Sequence, residues 1–197
     1  AVITDYGVPI DGSTGSTLMP KLQYRFRVTF TNLGGVDGKT VSRNVISVGR
    51  PGLSHDDVTV DVYNSKIRLA GKHTWEDITL TLRDDVDSEV IKAIGSQMSK
   101  QVDHAGQSSA KAGGGYKFSL KIETLDGGND GEETVLDTWE LAGCFIPTVA
   151  YGELNYATSD QVQVTVTVRY DNASNTVGGT DYFSQGTVDA ATSTATL

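Results

Sequence analysis

The side chains of this sequence best suited to catalysis or metal binding are three histidines and one cysteine, and their spacing joins none of them into a site. A zinc site of the His-Glu-x-x-His kind needs two imidazoles one helical turn apart. His55, His73 and His104 are far apart in sequence and read as residues of a loop, a turn and a helix end. His104, beside an expected helix C-terminus, is explained by capping. Cys144 stands in the apolar run Leu141-Ala-Gly-Cys-Phe-Ile146 and reads as a small buried hydrophobe rather than a nucleophile or an intersubunit disulfide.

The remaining candidates have plainer explanations. Asp126-Gly-Gly-Asn-Asp-Gly-Glu-Glu133 is acidic and rich in glycine, yet it lacks the alternating Asp order and distal Glu of a calcium loop, so a long exposed hairpin turn is expected. Gly113-Gly-Gly115 is followed by a strand pattern and no Lys-Ser/Thr, which makes it a joint and not a phosphate loop. Asp84 and Asp85 could form an acid–base pair, but a strand end and a helix start account for them. No Gly-x-Ser-x-Gly elbow occurs. No enzyme activity, catalytic residue, metal or cofactor is expected, and a structural or binding role is the default.

Composition sets the frame for that role. The chain has 197 residues, enough for one domain with its own core. Acidic residues outnumber basic ones by 25 to 16, a formal charge of -9, which opposes nucleic-acid binding through phosphate neutralisation. The N-terminal Ala1-Val-Ile-Thr-Asp-Tyr-Gly has neither the basic nor the apolar part of a secretory signal, and no apolar run is long enough to span a bilayer. A soluble protein made in the cytoplasm, without membrane insertion, is expected.

The elements that would position any surface are mainly strands. Leu22, Tyr24, Phe26, Val28 and Phe30 alternate with polar neighbours and predict one strand over Leu22–Thr31. The same period of two recurs at Val58, Val60 and Val62, at Ile67 and Leu69, at Ile78, Leu80 and Leu82, at Tyr116, Phe118, Leu120 and Ile122, and from Val162 to Tyr170. Val90, Ile94, Met98 and Val102, with Ile91 beside them, share one helix face; Asp85, Asp87 and Glu89 lie at its start and Gly106 beyond its end. The expected fold is mainly β, an antiparallel barrel or sandwich with one packed helix. The domain is expected over 21–171, between a Gly/Ser/Thr-rich arm at 1–20 and a Ser/Thr/Ala-rich arm at 172–197.

Long strands leave edges that must be closed into a barrel or paired with a neighbouring subunit. Thr29, Thr31, Thr79, Thr81, Thr165 and Thr167, with Gln161 and Gln163, would form a neutral polar surface on outward strand faces. That surface is either solvated or the wall of an aqueous channel.

Lys66-Ile-Arg-Leu-Ala-Gly-Lys-His-Thr-Trp-Glu-Asp-Ile-Thr-Leu-Thr-Leu82 resembles the tail-tube family of T4-like and other contractile-tailed phages in its basic-aliphatic strand, Gly turn, aromatic-acidic pair and Thr-Leu-Thr strand. Gly49-Arg-Pro-Gly-Leu53, Tyr116-Lys-Phe118, Trp139-Glu-Leu-Ala-Gly143, Pro147 and the strand ending at Tyr170 extend the resemblance over Leu22–Asp171. Gly71 suits a turn, Pro147 a place where a strand bends or stops, and the two tryptophans large apolar anchors.

The resemblance implies hexameric rings whose strands join into one continuous barrel, stacked into a channel for DNA during ejection. It implies as partners other copies of the chain, a tail sheath, baseplate and tape-measure proteins and transient double-stranded DNA, in a virion assembled in the host cytoplasm. The segment from Val48 to Asn64 resembles the family's inter-ring loop or hairpin. Arg50, His55, Asp56, Asp57, Asp61, Tyr63, Lys66 and Arg68 are the expected contact residues, and Thr79, Thr81, Gln161, Gln163, Thr165 and Thr167 the expected lumen face. A bacterial secretion tube subunit and a stand-alone β-sandwich module using the Asp126–Glu133 loop for a ligand or calcium are the alternatives.

Overall fold

A computed structural model describes residues 20–35, 38–109, 115–127 and 134–183. In chain order the elements are β1 (Phe26–Thr31), α1 (Gly38–Arg43), β2 (Val45–Val48), β3 (Leu53–Val62), β4 (Ser65–Trp75), β5 (Ile78–Arg83), α2 (Glu89–Gln101), β6 (Val102–Asp103), β7 (Ser108–Ser109), β8 (Phe118–Leu125), β9 (Val135–Ala150), β10 (Gln163–Arg169), β11 (Asn172–Val177) and β12 (Thr180–Asp181). Alternating β-branched and aromatic residues fit a pleated half-buried surface, and six of the strands follow one path, β1-β8-β9-β10-β5-β2. β11 and β12 extend this sheet beside β9, β3 pairs with β4 alone, and β6 with β7. Every pairing is antiparallel.

β9 is the corner of the sheet. Its first part lies between β8 and β11, its last part beside β10. Two register shifts mark the bend, one against β8 between Phe118 and Leu120 and one against β10 between Thr167 and Arg169. Gly143 at the first has φ +69°, and an added Cβ would lie 2.2 Å from Asp171 Oδ2. Pro147, at the second, does not end the strand. The extra residue of a bulge leaves the ladder unpaired there, so the missing N–H is tolerated.

The core joins Val28, Phe30, Ile78, Leu80, Leu82, Leu120, Leu141, Ile146, Val164 and Val168 to the inner side of α2. That side consists of Val90, Ala93, Ile94 and Gln97. The Gln97 amide donates to the Tyr116 carbonyl and accepts from Gly34 N–H at 3.0 Å, so a buried polar group is satisfied at both ends. At the helix start Asp85 Oδ1 accepts from Glu89 N–H at 2.9 Å, which is the role expected of this carboxylate.

Several expectations are corrected. The first strand begins at Phe26 and not Leu22; Leu22 and Tyr24 precede it and are exposed. Val102 leaves the helix for β6, and Ile91 is exposed, because Ala93 and Gln97 fill the contact face instead. The helix is not single, since α1 precedes β2. The sheet is not a closed barrel among the described residues. His55 and His73 are strand residues, and His104 lies in the turn between β6 and β7, where it caps no helix: the cap bond runs from Val102 N–H to Met98. Gly71 lies inside β4 beside a register shift and not in a turn. The stretch counted as the start of a C-terminal arm is sheet from Asn172 to Asp181. Residues 1–19 and 184–197, the centre of the acidic loop and most of the triple-glycine joint lie outside the described residues.

Candidate assembly surfaces

The β3–β4 hairpin carries exposed hydrophobic side chains that no other described residue buries. Its register places Val58 opposite Leu69, Val60 opposite Ile67 and Val62 opposite Ser65, so one face is apolar. These five hydrophobic side chains keep between 43% and 54% of their surface exposed. The period of two was legible in the sequence, whereas the exposure of this face among the described residues was not. On the other face Asp57 meets Arg68 at 3.2 Å and Asp61 meets Lys66 at 3.6 Å, exposed pairs that contribute about 0–1 kcal/mol each.

Tyr63 forms the tip with Asn64, at φ 48° and fully exposed. A tyrosine is unusual in this left-handed position, where glycine or asparagine is the ordinary choice. Asp56 sits where the hairpin register shifts, against Gly71, where an added Cβ would come within 3.0 Å of the Asp56 carbonyl. Thus His55, Asp56, Asp57, Asp61, Tyr63, Lys66 and Arg68 share one hairpin. Arg50 does not: it lies before β3 and reaches Thr124 Oγ1 of β8 at 3.4 Å.

The threonines divide into two groups. Thr165 faces Thr81 and Thr167 faces Thr79 across β10–β5, with Ser47 of β2 beside Thr81 and Thr148 of β9 beside Thr167. These side chains alternate with buried Val164, Val166, Val168, Leu80 and Leu82, so they form one neutral wall opposite the core. Gln163 pairs with Arg83 at its border, while Gln161 is in the exposed loop before β10. Thr29 and Thr31 belong elsewhere: Thr29 faces Lys121 beside the Arg27–Glu123 ion pair, a charged region.

An aromatic joint fixes the base of the hairpin, and the sequence reading missed it. Trp75 at the end of β4 lies 5.7 Å from the Tyr170 ring and 6.0 Å from Phe183, and Phe183 lies 5.5 Å from Trp139 of β9. His73 stands edge-on to Trp75 at 6.2 Å and 6.3 Å from His55. Burial pushes the Tyr170 hydroxyl up to about 12. Next to the joint Arg169 grips Asp77 through two hydrogen bonds of 2.7 and 2.8 Å, which hold the Asp77 carboxyl below its usual range.

Chemistry is sparse among these surfaces. Cys144 is buried, its Sγ 3.5 Å from the Leu141 carbonyl, and burial pushes the thiol up to about 12, far from a reactive thiolate. Among the described residues no group of three or more His, Cys, Asp or Glu is placed to hold a metal ion, and no helix is long and apolar enough to cross a membrane.

No family model matches the sequence, and no curated protein matches it. Solved structures match the fold. A chain from the sheath–tube complex of an extracellular contractile injection system, PVC, in its extended state is 17% identical over 86% of this chain and 99% of that one, with a TM-score of 0.62. A chain from the sheath/tube terminator of the same system is 17% identical over 81% and 98%, TM-score 0.60. A chain from the tube-terminating cap of the anti-feeding prophage is 15% identical over 86% and 99%, TM-score 0.57. The fold is that of contractile-injection-system tube and terminator proteins.

Proposed function

We propose that this chain is the structural subunit of the inner tube of a contractile tail or injection machine, stacking as hexameric rings around a channel. The observation that carries this reading is the apolar face of β3–β4, five half-exposed side chains on a hairpin standing apart from the sheet, on a fold shared with sheath–tube structures. Apolar surface gains roughly 25 cal/mol per Å² when covered. A ring or stack of identical copies would cover it many times over. His55, Asp56, Asp57, Asp61, Tyr63, Lys66 and Arg68 then sit at contacts between copies, with Arg50 behind them.

In this reading the Thr79, Thr81, Thr165 and Thr167 wall, bordered by Gln163 and Gln161, faces the channel. Duplex DNA carries about one negative charge per 1.7 Å, so a neutral wall in an acidic subunit would let it slide. A sheath, a baseplate and a tape-measure protein are the partners such a tube requires. A second reading places the tube in an extracellular injection machine rather than a phage tail, and the likeness to PVC and anti-feeding prophage structures favours it.

Negative-stain microscopy of the purified chain at increasing concentration tests the proposal. Six-fold rings or stacked tubes with an open channel are expected. Particles that stay monomeric even when mixed with preformed tube fragments of the same system would sink it.

A further inference from the structure

The two ends of the main sheet line one cleft. Among the described residues β1 is bonded only to β8 and β2 only to β5, and both strands border a volume of about 1260 Å³ that Ile122, Thr124 and Leu125 of β8 also line. Among the described residues each strand has an edge without a strand neighbour, closed only at Phe30, where Gly38 of α1 approaches the carbonyl; such edges present backbone N–H and C=O groups to an added strand.

The charge of the cleft is opposite to that of the molecule. Lys21, Arg25, Arg27, Arg43 and Arg50 border it and no acidic side chain does, in a chain of formal charge -9. Two of the five pair directly with carboxylates, Lys21 with Asp137 and Arg27 with Glu123, and Arg50 also acts on Asp137 through its charge while donating to the Thr124 hydroxyl. Arg25 donates to the Asp126 backbone carbonyl, a neutral acceptor, and Arg43 has no ion pair among the described residues. Leu22 and Tyr24 add exposed apolar surface to the same wall.

We propose that this cleft binds an extended acidic segment of a partner protein, which lies along the open edges of β1 and β2. The backbone edges require an extended peptide, the arginines, Arg25 and Arg43 above all, require carboxylates, and Leu22 with Tyr24 requires apolar side chains alternating with them. Phosphate would answer the arginines alone. Residues 26–28 of β1 and Val45–Val48 of β2 border the cleft, so a segment of about four residues, roughly 13 Å when extended, lies along each edge. This surface adjoins the threonine wall at Ser47 and lies behind the hairpin at Arg50.

The test is fluorescence anisotropy of a labelled dodecapeptide of alternating Asp and Val added to the full chain, beside the same peptide with Lys for Asp and a labelled 20-base-pair DNA duplex. The Asp peptide should bind and the Lys peptide should not. Its affinity should fall about tenfold or more in 0.5 M salt and in Arg25→Glu/Arg43→Glu/Arg50→Glu, as expected for contacts that depend on complementary charge. Arg43→Ser/Arg50→Ser, with its fold checked by circular dichroism, should weaken binding in the same direction.

Unchanged affinity in both variants overturns the proposal, as does DNA binding that the charge reversals abolish while the peptide never binds. Two other results would assign the cleft elsewhere and overturn it too. One is self-association of the wild-type chain that the arginine variants dissolve; the other is a labelled peptide of residues 1–12 of this chain binding tenfold more tightly than the Asp peptide.

Discussion

The side-chain amide of Gln101 exchanges two hydrogen bonds of 2.9 Å with the backbone of Ile146, donating to its carbonyl and accepting from its N–H. The last residue of α2 thereby acts as a one-residue strand for β9, at the bulge where Pro147 leaves the ladder open. Helix and corner are fixed to each other.

Gln101→Ala should lower stability by about 2–3 kcal/mol, because it strands both backbone groups of a residue that is only 2% exposed. Urea unfolding followed by circular dichroism measures it. Gln101→Glu keeps the acceptor for Ile146 N–H but sets a carboxylate oxygen against the Ile146 carbonyl, so it should lose at least as much. A Gln101→Glu variant as stable as wild type would show that the paired amide does not matter here.

Phe183 touches both tryptophans of the chain, Trp75 and Trp139. Phe183→Ala should therefore shift tryptophan emission to longer wavelength and cost about 1–2 kcal/mol, in line with two aromatic contacts of ~0.5–1.5 kcal/mol each. Emission identical to wild type would mean that Phe183 does not hold this joint in solution.

Acid should loosen the β1–β8–β9 side of the sheet. Burial raises the Glu123 and Asp137 carboxyls, but the bonds from Arg27 and Lys121 to the first, and from Lys21 and Thr124 to the second, outweigh it and leave both below their usual values. Their stabilisation is complete above the unfolded pKa of about 4 and is lost as pH falls through the lowered folded values. Thermal melts from pH 6 down to pH 2 should show this loss. Glu123→Gln should be less stable than wild type at pH 6, with the difference shrinking toward pH 2.

Ile67→Asp places a charge at the centre of the exposed hairpin face, opposite Val60. With half of the side chain already in water, the monomer should keep its melting temperature within a few degrees. Assembly into rings or tubes should be lost. A variant that assembles as wild type would remove the hairpin from the interface.

Much of the sheet was legible from alternation, because buried Val164, Val166 and Val168 and half-buried Thr165 and Thr167 write their environment into a period of two. The same period misled at Leu22 and Tyr24, where alternation continues past the point at which β8 stops offering partners. It was silent on the exposure of the hairpin face, since period two gives the face of a strand and not what covers that face. The aromatic joint left no local signal at all. Trp75, Trp139, Tyr170 and Phe183 are brought together only by tertiary folding, and a stretch rich in Ser, Thr and Asn conceals the strand that carries Phe183 to them. The basic cleft was hidden for the same reason, with its arginines spread over the residue before β1, β1 itself, α1 and the segment after β2.

Phe26 of β1 pairs with Thr124 of β8, a partner nearly a hundred residues later in the chain. At a synthesis rate of about 5–20 residues per second, β1 leaves the ribosome about 5–20 s before β8 exists to receive it. The β3–β4 hairpin, made of neighbours, can form within about 1–10 μs of emerging. The newborn chain therefore displays an apolar hairpin face and an unpaired strand together for seconds, the interval in which it is most open to capture by another copy or by a chaperone.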